Sequence, residues 1–339
     1  MHALTKLALG AAGTMAAVQL TRRVVRNRRR FDWTGRRVVI MGGSRGLGLV
    51  LARQLAHLGA NLAICARSHD DLRRAAEELQ ALGADVFWQT CDIRDPEQVE
   101  TFIDRAAHHF IGIDVLINVA GIITVGPLDS MKQEDFEDSM RTNCWGPLVA
   151  SRAALPWMRR ENWGRIVNVA SLGGKRAVPH MLPYAASKFA LVGVSNGMRA
   201  ELKQENIFVT TACPSLMRTG SPRNANFKGQ HREEYAWFSI GDSLPGVAMD
   251  AQQAAAQILE ACQQGRGEVF IRPPWNVTIA LQNMFPEVTQ EVLALAAAVM
   301  PKMGGIGREM AKGHQSESAW SQSVLTALTR RAAAANNQL

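Results

Sequence analysis

Arg37-Val38-Val39-Ile40-Met41-Gly42-Gly43-Ser44-Arg45-Gly46-Leu47-Gly48 decides the fold. The first five residues are a β-branched run that reads as a buried strand. Glycines then break the run, and Leu47–Leu58 continues at helical spacing until Gly59 supplies a C-cap. Such a turn lets backbone approach a pyrophosphate closely, and the helix start offers unpaired N–H groups at the positive end of its dipole. Gly42, Gly46 and Gly48 are spaced GxxxGxG rather than GxGxxG, so their place between strand and helix carries most of the weight. The same residues fit GxSxG, the nucleophile elbow of hydrolases. That elbow needs strands and an oxyanion loop before it, whereas here it ends the first strand.

Outward from this turn the period keeps switching. Asn61–Ala66, Val86–Thr90, Val115–Val119, Arg165–Ala170, Phe208–Cys213 and Glu268–Ile271 read as further apolar strands, each separated from the next by a helical segment. Asp95-Pro96 opens one of these helices in the N-cap and N1 positions. Seven strands alternating with helices predict an α/β domain over 33–272, a doubly wound seven-stranded parallel sheet of the Rossmann type. The second strand ends Ile64-Cys65-Ala66-Arg67, without the acid that would bind the ribose hydroxyls of NAD. Arg67, with Arg45 in the glycine turn, suits a 2′-phosphate instead, so the cofactor expected is NADP.

The chemistry sits further along. Ile166-Val167-Asn168-Val169-Ala170 delivers Ser171, and Tyr184-Ala185-Ala186-Ser187-Lys188 follows. Tyr184 and Lys188, at i and i+4, share a helix face. A neighbouring ammonium favours phenolate, which predicts a tyrosine pKa lowered from about 10 towards neutrality, suited to proton exchange with a carbonyl or alcohol.

Taken in order over about Trp33–Arg272, these residues resemble the short-chain dehydrogenase/reductase superfamily in its single-domain form. Gly42 to Gly48, with Ser44 and Leu47, resembles the cofactor turn, and Cys91-Asp92-Ile93 the adenine contact. Asn118-Val119-Ala120-Gly121 resembles the NNAG segment, and Pro214 to Thr219 the Pro-Gly-x3-Thr segment at the nicotinamide end. Asn143, Ser171, Tyr184 and Lys188 resemble the catalytic tetrad. The resemblance implies that Tyr184 is the general acid in reduction and the base in oxidation. It implies that Lys188 holds the nicotinamide ribose, Ser171 fixes the substrate oxygen and Asn143 supports a water-mediated proton relay, with Asp92 and Ile93 lining the adenine pocket. Asn118, Ala120 and Gly121 are counted with the cofactor residues on the same basis. Hydride transfer of this kind needs no metal. Met41, Val119 and Ser215 depart from the family's usual residues, all away from the tetrad.

Composition bounds the rest. Apolar residues make up 47% and charged residues 20% of 339, which excludes global disorder. Five scattered cysteines without a CxxC argue against a disulfide scaffold or zinc cluster and for a reducing, cytoplasmic setting. The net charge is +8, but residues 1–30 carry Lys6 and six arginines with no acid, so the body is near neutral and nothing calls for nucleic acid. Leu7–Leu20, apolar but short of a full span, stands before those arginines. It reads as a weak anchor to the cytoplasmic face of a membrane, as a targeting peptide, or as a frayed basic helix within a terminal segment 1–32. From Pro273 a mostly helical extension, 273–339, includes Thr289–Met300 with a broad apolar face and a last helix over Trp320–Ala335. It reads either as a cap burying that face or as a lid or membrane-facing surface.

The function expected is thus an NADP-dependent oxidoreductase acting on a carbonyl or secondary alcohol. The alternative, a catalytically idle nucleotide-binding scaffold or sensor, would carry a broken tetrad. Met217, Phe227, Tyr235, Trp237, Phe238 and Ile240 in the variable Pro214–Pro245 segment lean, with the extension, towards a lipophilic substrate, although such aromatics more often pack than recognise. The resemblance implies homo-oligomer pairing through helices near Asn143–Met158 and Tyr184–Leu202.

Overall fold

The computed structural model describes residue 17 and residues 20–271 and 275–339. The Leu7–Leu20 segment therefore lies almost wholly outside the described residues. Strand β1 (Arg37–Met41) is buried on both faces: Val38 and Ile40 enter one apolar layer, Val39 and Met41 the other. That two-sided burial is why its apolar run is continuous rather than alternating.

Six more strands join it: β2 (Asn61–Ala66), β3 (Val86–Thr90), β4 (Val115–Asn118), β5 (Gly164–Val169), β6 (Ile207–Pro214) and β7 (Glu268–Ile271). The order across the sheet is β3-β2-β1-β4-β5-β6-β7, parallel at every pairing. Seven strands and their doubly wound order are as expected; β4 stops one residue early, at Asn118. The chain leaves β1 towards β2 and later returns to β4 on its other side, which opens a crevice at the strand ends between β1 and β4.

Helices cover both faces. On one lie α1 (Gly46–His57), α2 (His69–Ala81) and α8 (Ala251–Gln263); on the other lie α3 (Pro96–Phe110) and α5 (Gly146–Arg160). Between α3 and α5 comes α4 (Gln133–Met140), while α6 (Leu182–Leu202) carries the tyrosine and lysine; α7 (His231–Ser243) precedes α8. Asp95 caps α3, its side chain accepting from the N–H groups of Glu97 and Gln98, with Pro96 at the first helical position.

The extension is tied to the domain rather than separate from it. Ala311–Lys312 pairs antiparallel with Asn226–Phe227, which itself pairs with Thr124–Val125 in a second small sheet. Its helices are α9 (Trp275–Met284), α10 (Pro286–Ala298) and α11 (Ala327–Ala335). None of the residues of α10 is buried, and Val288, Val292 and Leu295 stay open to solvent. This helix therefore covers no apolar area of its own, whereas Ile279 of α9 and Ala333 of α11 are buried. Proline at its first position lets α10 begin before Thr289. The last helix is shorter than the Trp320–Ala335 expected. Ser323 accepts from the N–H of Leu325 and starts a 3-10 turn, so α11 begins only at Ala327.

Residues 20–28 are helical, and the basic segment then folds back onto the domain: the Arg29 guanidinium lies over the Phe208 ring and Arg30 pairs with Glu260 at 2.7 Å. No helix among the described residues is long and apolar enough to cross a membrane. All five cysteines are free and buried.

Candidate active site

The ends of β1, β4, β5 and β6 open into one cleft of about 620 Å³. The glycine turn forms its floor. A side chain on Gly48 would stand 1.9 Å from the Gly42 carbonyl oxygen, so the loop closes this tightly only without a Cβ. Gly42, at φ +99°, abuts Ala120 so closely that a Cβ would lie 2.8 Å from its backbone. Ser44, Arg45, Gly46, Leu47 and Gly48 all line the cleft, as do Ala120 and Gly121 across it.

At one end, Arg45 and Arg67 both face the space. Arg45 donates to Asn224 Oδ1 at 3.2 Å and lies 3.9 Å from Asp71, whose carboxylate also binds Arg74. Burial lowers the Arg45 pKa, Asp71 opposes that, and the neighbouring positive charge of Arg67 adds to it. Arg67 is exposed and forms no ion pair among the described residues. Asp71 is thus a carboxylate at this end that strand β2 did not reveal, since it arrives from the first turn of α2.

Asp92 and Ile93 form the adjoining wall. Burial works to raise the Asp92 pKa, but the hydrogen bonds and charge of Arg94, 2.7 Å away, hold the carboxyl below its ordinary range.

At the other end stand Ser171, Tyr184 and Lys188; Pro214 and Thr219 also line the cleft, the Thr219 carbonyl accepting from Asn336 Nδ2. Ser171 sits just past β5, where its Oγ accepts from the Gly173 N–H at 2.9 Å. Lys188 is 4% exposed and donates to the Val169 carbonyl at 2.9 Å. Desolvation lowers its pKa to about 8. The tyrosine differs from expectation: burial raises the Tyr184 pKa, and a hydrogen bond from Ser171 only partly opposes it. Lys188 spends its hydrogen bond on backbone, with its nitrogen 5.8 Å from the Tyr184 ring centre, so a lowered phenol pKa is not seen.

Two expected residues lie behind the cleft rather than in its lining. Asn143 falls in a π-helical turn, Arg141–Trp145, and is fully buried. Its Oδ1 accepts from the Ile122 N–H, and its Nδ2 donates to the Ile122 carbonyl and to Ser187 Oγ. It therefore pins the segment after β4 against α6. Asn118 lies at the sheet's edge of the cleft, where Nδ2 donates to Asn168 Oδ1 at 2.8 Å. Asn168 continues to Ser195 Oγ, which also accepts from Thr211, so one polar chain crosses β4, β5 and β6.

Met217, named from the variable segment, does line the cleft, while several lining residues escaped sequence reading: Ile122, Ile123, Thr142, Ser221 and Gln338. Ile122 and Ile123 follow the recognisable Gly121 and were within reach; Gln338 carried no signal. Of the aromatics in 214–245, Phe227, Tyr235 and Phe238 form a small buried core with Val125 and Met181, so they pack and do not line the cleft.

Comparison with known proteins agrees with this architecture. The family model for short chain dehydrogenase matches residues 36–228. The chain is 32% identical over 227 residues to the granaticin polyketide synthase putative ketoacyl reductase 1 of Streptomyces violaceoruber, covering 65% of this chain and 84% of that one. It is 30% identical over 294 residues to dehydrogenase/reductase SDR family member 7B of Danio rerio, covering 85% and 94%. A short chain dehydrogenase/reductase from Burkholderia phymatum, solved in complex with NAD, superposes with a TM-score of 0.70 at 25% identity, covering 76% of this chain and 96% of that one. The chain belongs to the short chain dehydrogenase family of oxidoreductases.

Proposed function

We propose that this protein is an NADP-dependent oxidoreductase that interconverts a carbonyl and a secondary alcohol, with Tyr184 as general acid and base. The observation that carries the reading is a single cleft holding the glycine turn, Arg45 and Arg67 at one end and Ser171, Tyr184 and Lys188 at the other. The side-chain-free floor at Gly42 and Gly48 fits a pyrophosphate, and two guanidinium groups fit a further phosphate. A bound nicotinamide supplies the hydride in reduction and accepts it in oxidation.

The protein's own residues handle the oxygen and its proton. Ser171 and Tyr184 hold the carbonyl oxygen with their hydroxyls. Burial keeps Tyr184 protonated, so in its resting form it is an acid, ready to give its proton to that oxygen as the carbon is reduced. In the reverse direction the phenolate takes the alcohol proton, and the ammonium of Lys188 stabilises the charge that results. Asn143 holds the Ile122 segment, and so the cleft's far wall, in place.

The substrate we favour is lipophilic, because Ile122, Ile123 and Met217 line the cleft. A relative named as a ketoacyl reductase supports carbonyl reduction as the reaction. The test is a fluorescence titration with NADPH and NADH, followed by turnover on matched long- and short-chain ketones. Tight binding of NADPH, with turnover lost in Tyr184→Phe while binding persists, is expected. Preference for NADH would overturn the cofactor, and unchanged turnover in Tyr184→Phe would overturn the acid.

A further inference from the structure

Ala335-Asn336-Asn337-Gln338 is an uncharged, amide-rich stretch far in sequence from the glycine turn. In the fold it lies directly on it. The Gly46 N–H, first in α1, donates to the Asn336 carbonyl at 2.8 Å. Arg53 of α1 donates to the Ala335 carbonyl at 2.9 Å and to Asn336 Oδ1 at 3.2 Å. Asn337 donates to the carbonyls of Ser44 and Asp71 and accepts from Arg74. Turn, α1 and α2 all hold this segment, which makes it a built part of the site rather than a loose end.

Gln338 is the residue that reaches inside. It is 7% exposed, yet it lines the cleft. Asn224 Nδ2 donates to both its Oε1, at 2.6 Å, and its backbone carbonyl, at 3.0 Å, which fixes the orientation of the carboxamide. Its Nε2 is thereby turned onto Gly46, where a Cβ would meet it at 2.6 Å, and it donates to nothing among the described residues. A buried amide with two unspent N–H groups, aimed at a helix start, has an anion as its natural partner. Asn224 also accepts from Arg45, so the same asparagine couples the amide to a guanidinium.

We propose that residues 335–338 form one wall of the cofactor site and that Gln338 contacts the cofactor, its Nε2 donating to phosphate oxygen above Gly46. This rests on the dinucleotide reading given above. Gly46 is consequently a glycine for two reasons: its φ of +56° and the space Gln338 occupies.

The experiment is a fluorescence titration with NADPH of the full chain, of Gln338→Ala, of Gln338→Glu and of a chain cut after Ala335. Thermal unfolding of each is run alongside. Gln338→Ala should raise the Kd for NADPH about tenfold, and the cut should raise it further. Gln338→Glu, which sets a negative charge against phosphate, should weaken binding more than alanine does. An unchanged Kd in all three folded variants overturns the proposal. So does a lower Kd in the cut chain, which would make the segment an obstruction rather than a wall. Failure of the unaltered chain to bind NADPH or NADH would instead overturn the function proposed above. If the cut chain unfolds, the two point variants decide.

Discussion

Lys188 donates its hydrogen bond to the Val169 carbonyl at 2.9 Å and stands 5.8 Å from the centre of the Tyr184 ring. The lysine is thus fastened to strand β5 rather than to the tyrosine. Its burial also explains why its own pKa falls to about 8: the ammonium loses the water that would solvate it.

A dependence on pH follows. The folded-state pKa lies below the ordinary lysine value, so positive charge at this position drains away as pH rises through about 8. Affinity for NADPH should fall several-fold between pH 7 and pH 9.5. Lys188→Met should bind more weakly at pH 7 and lose most of that slope. Titrations at the two pH values read both effects.

The two arginines at the other end give a selectivity prediction. Charge-assisted hydrogen bonds are worth roughly 1.5–3 kcal/mol each. Arg45→Ala or Arg67→Ala should therefore weaken NADPH about 10- to 100-fold while moving NADH much less. Equal losses for both cofactors would remove the 2′-phosphate from the argument.

Asn118 carries a stability prediction. Its amide begins the Asn118–Asn168–Ser195 chain, and its removal leaves a buried Asn168 oxygen unpaired. Asn118→Ala should cost about 1–3 kcal/mol by urea denaturation, with little change in slope. A cost near zero would mean that water replaces the amide.

Asp242 behaves in the opposite sense to most acids. It is 2% exposed on α7, and burial raises its pKa to about 7 despite the hydrogen bond from Thr329. A folded-state pKa above the unfolded value means the folded chain binds the extra proton, so stability falls as pH rises from about 4 to 7. Asp242→Asn should remove that loss, stabilising the protein at pH 8 by on the order of 2–4 kcal/mol and far less at pH 5. Unfolding curves at the two pH values check the sign.

The sheet was legible because its central strands are buried on both faces and so read as largely apolar runs, as in Val38-Val39-Ile40 and Val115-Leu116-Ile117. Their parallel order follows from the helices between them. The three strands of the small sheet, each two residues long, have no period to detect. Residues whose positions repeat a known motif could be found from sequence; Asp71 and Gln338 could not, because each reaches the cleft through tertiary packing. The Tyr184 pKa was misread for a related reason. Spacing shows that a lysine is near, but not that burial raises the phenol and that the hydrogen bond of Ser171 alone opposes it. Exposure misled in the same way along α10, whose apolar pattern is the same whether covered or bare.

The small sheet also orders events during synthesis. Thr124–Val125 waits for Asn226–Phe227, and that strand in turn for Ala311–Lys312. Pairings between such remote segments form late, after the nearer contacts of β1 to β5 have closed. As the chain emerges from the ribosome, the glycine turn therefore forms before the segment at 335–338 that lies on it. The flank beneath the catalytic end stays unfinished until the extension arrives.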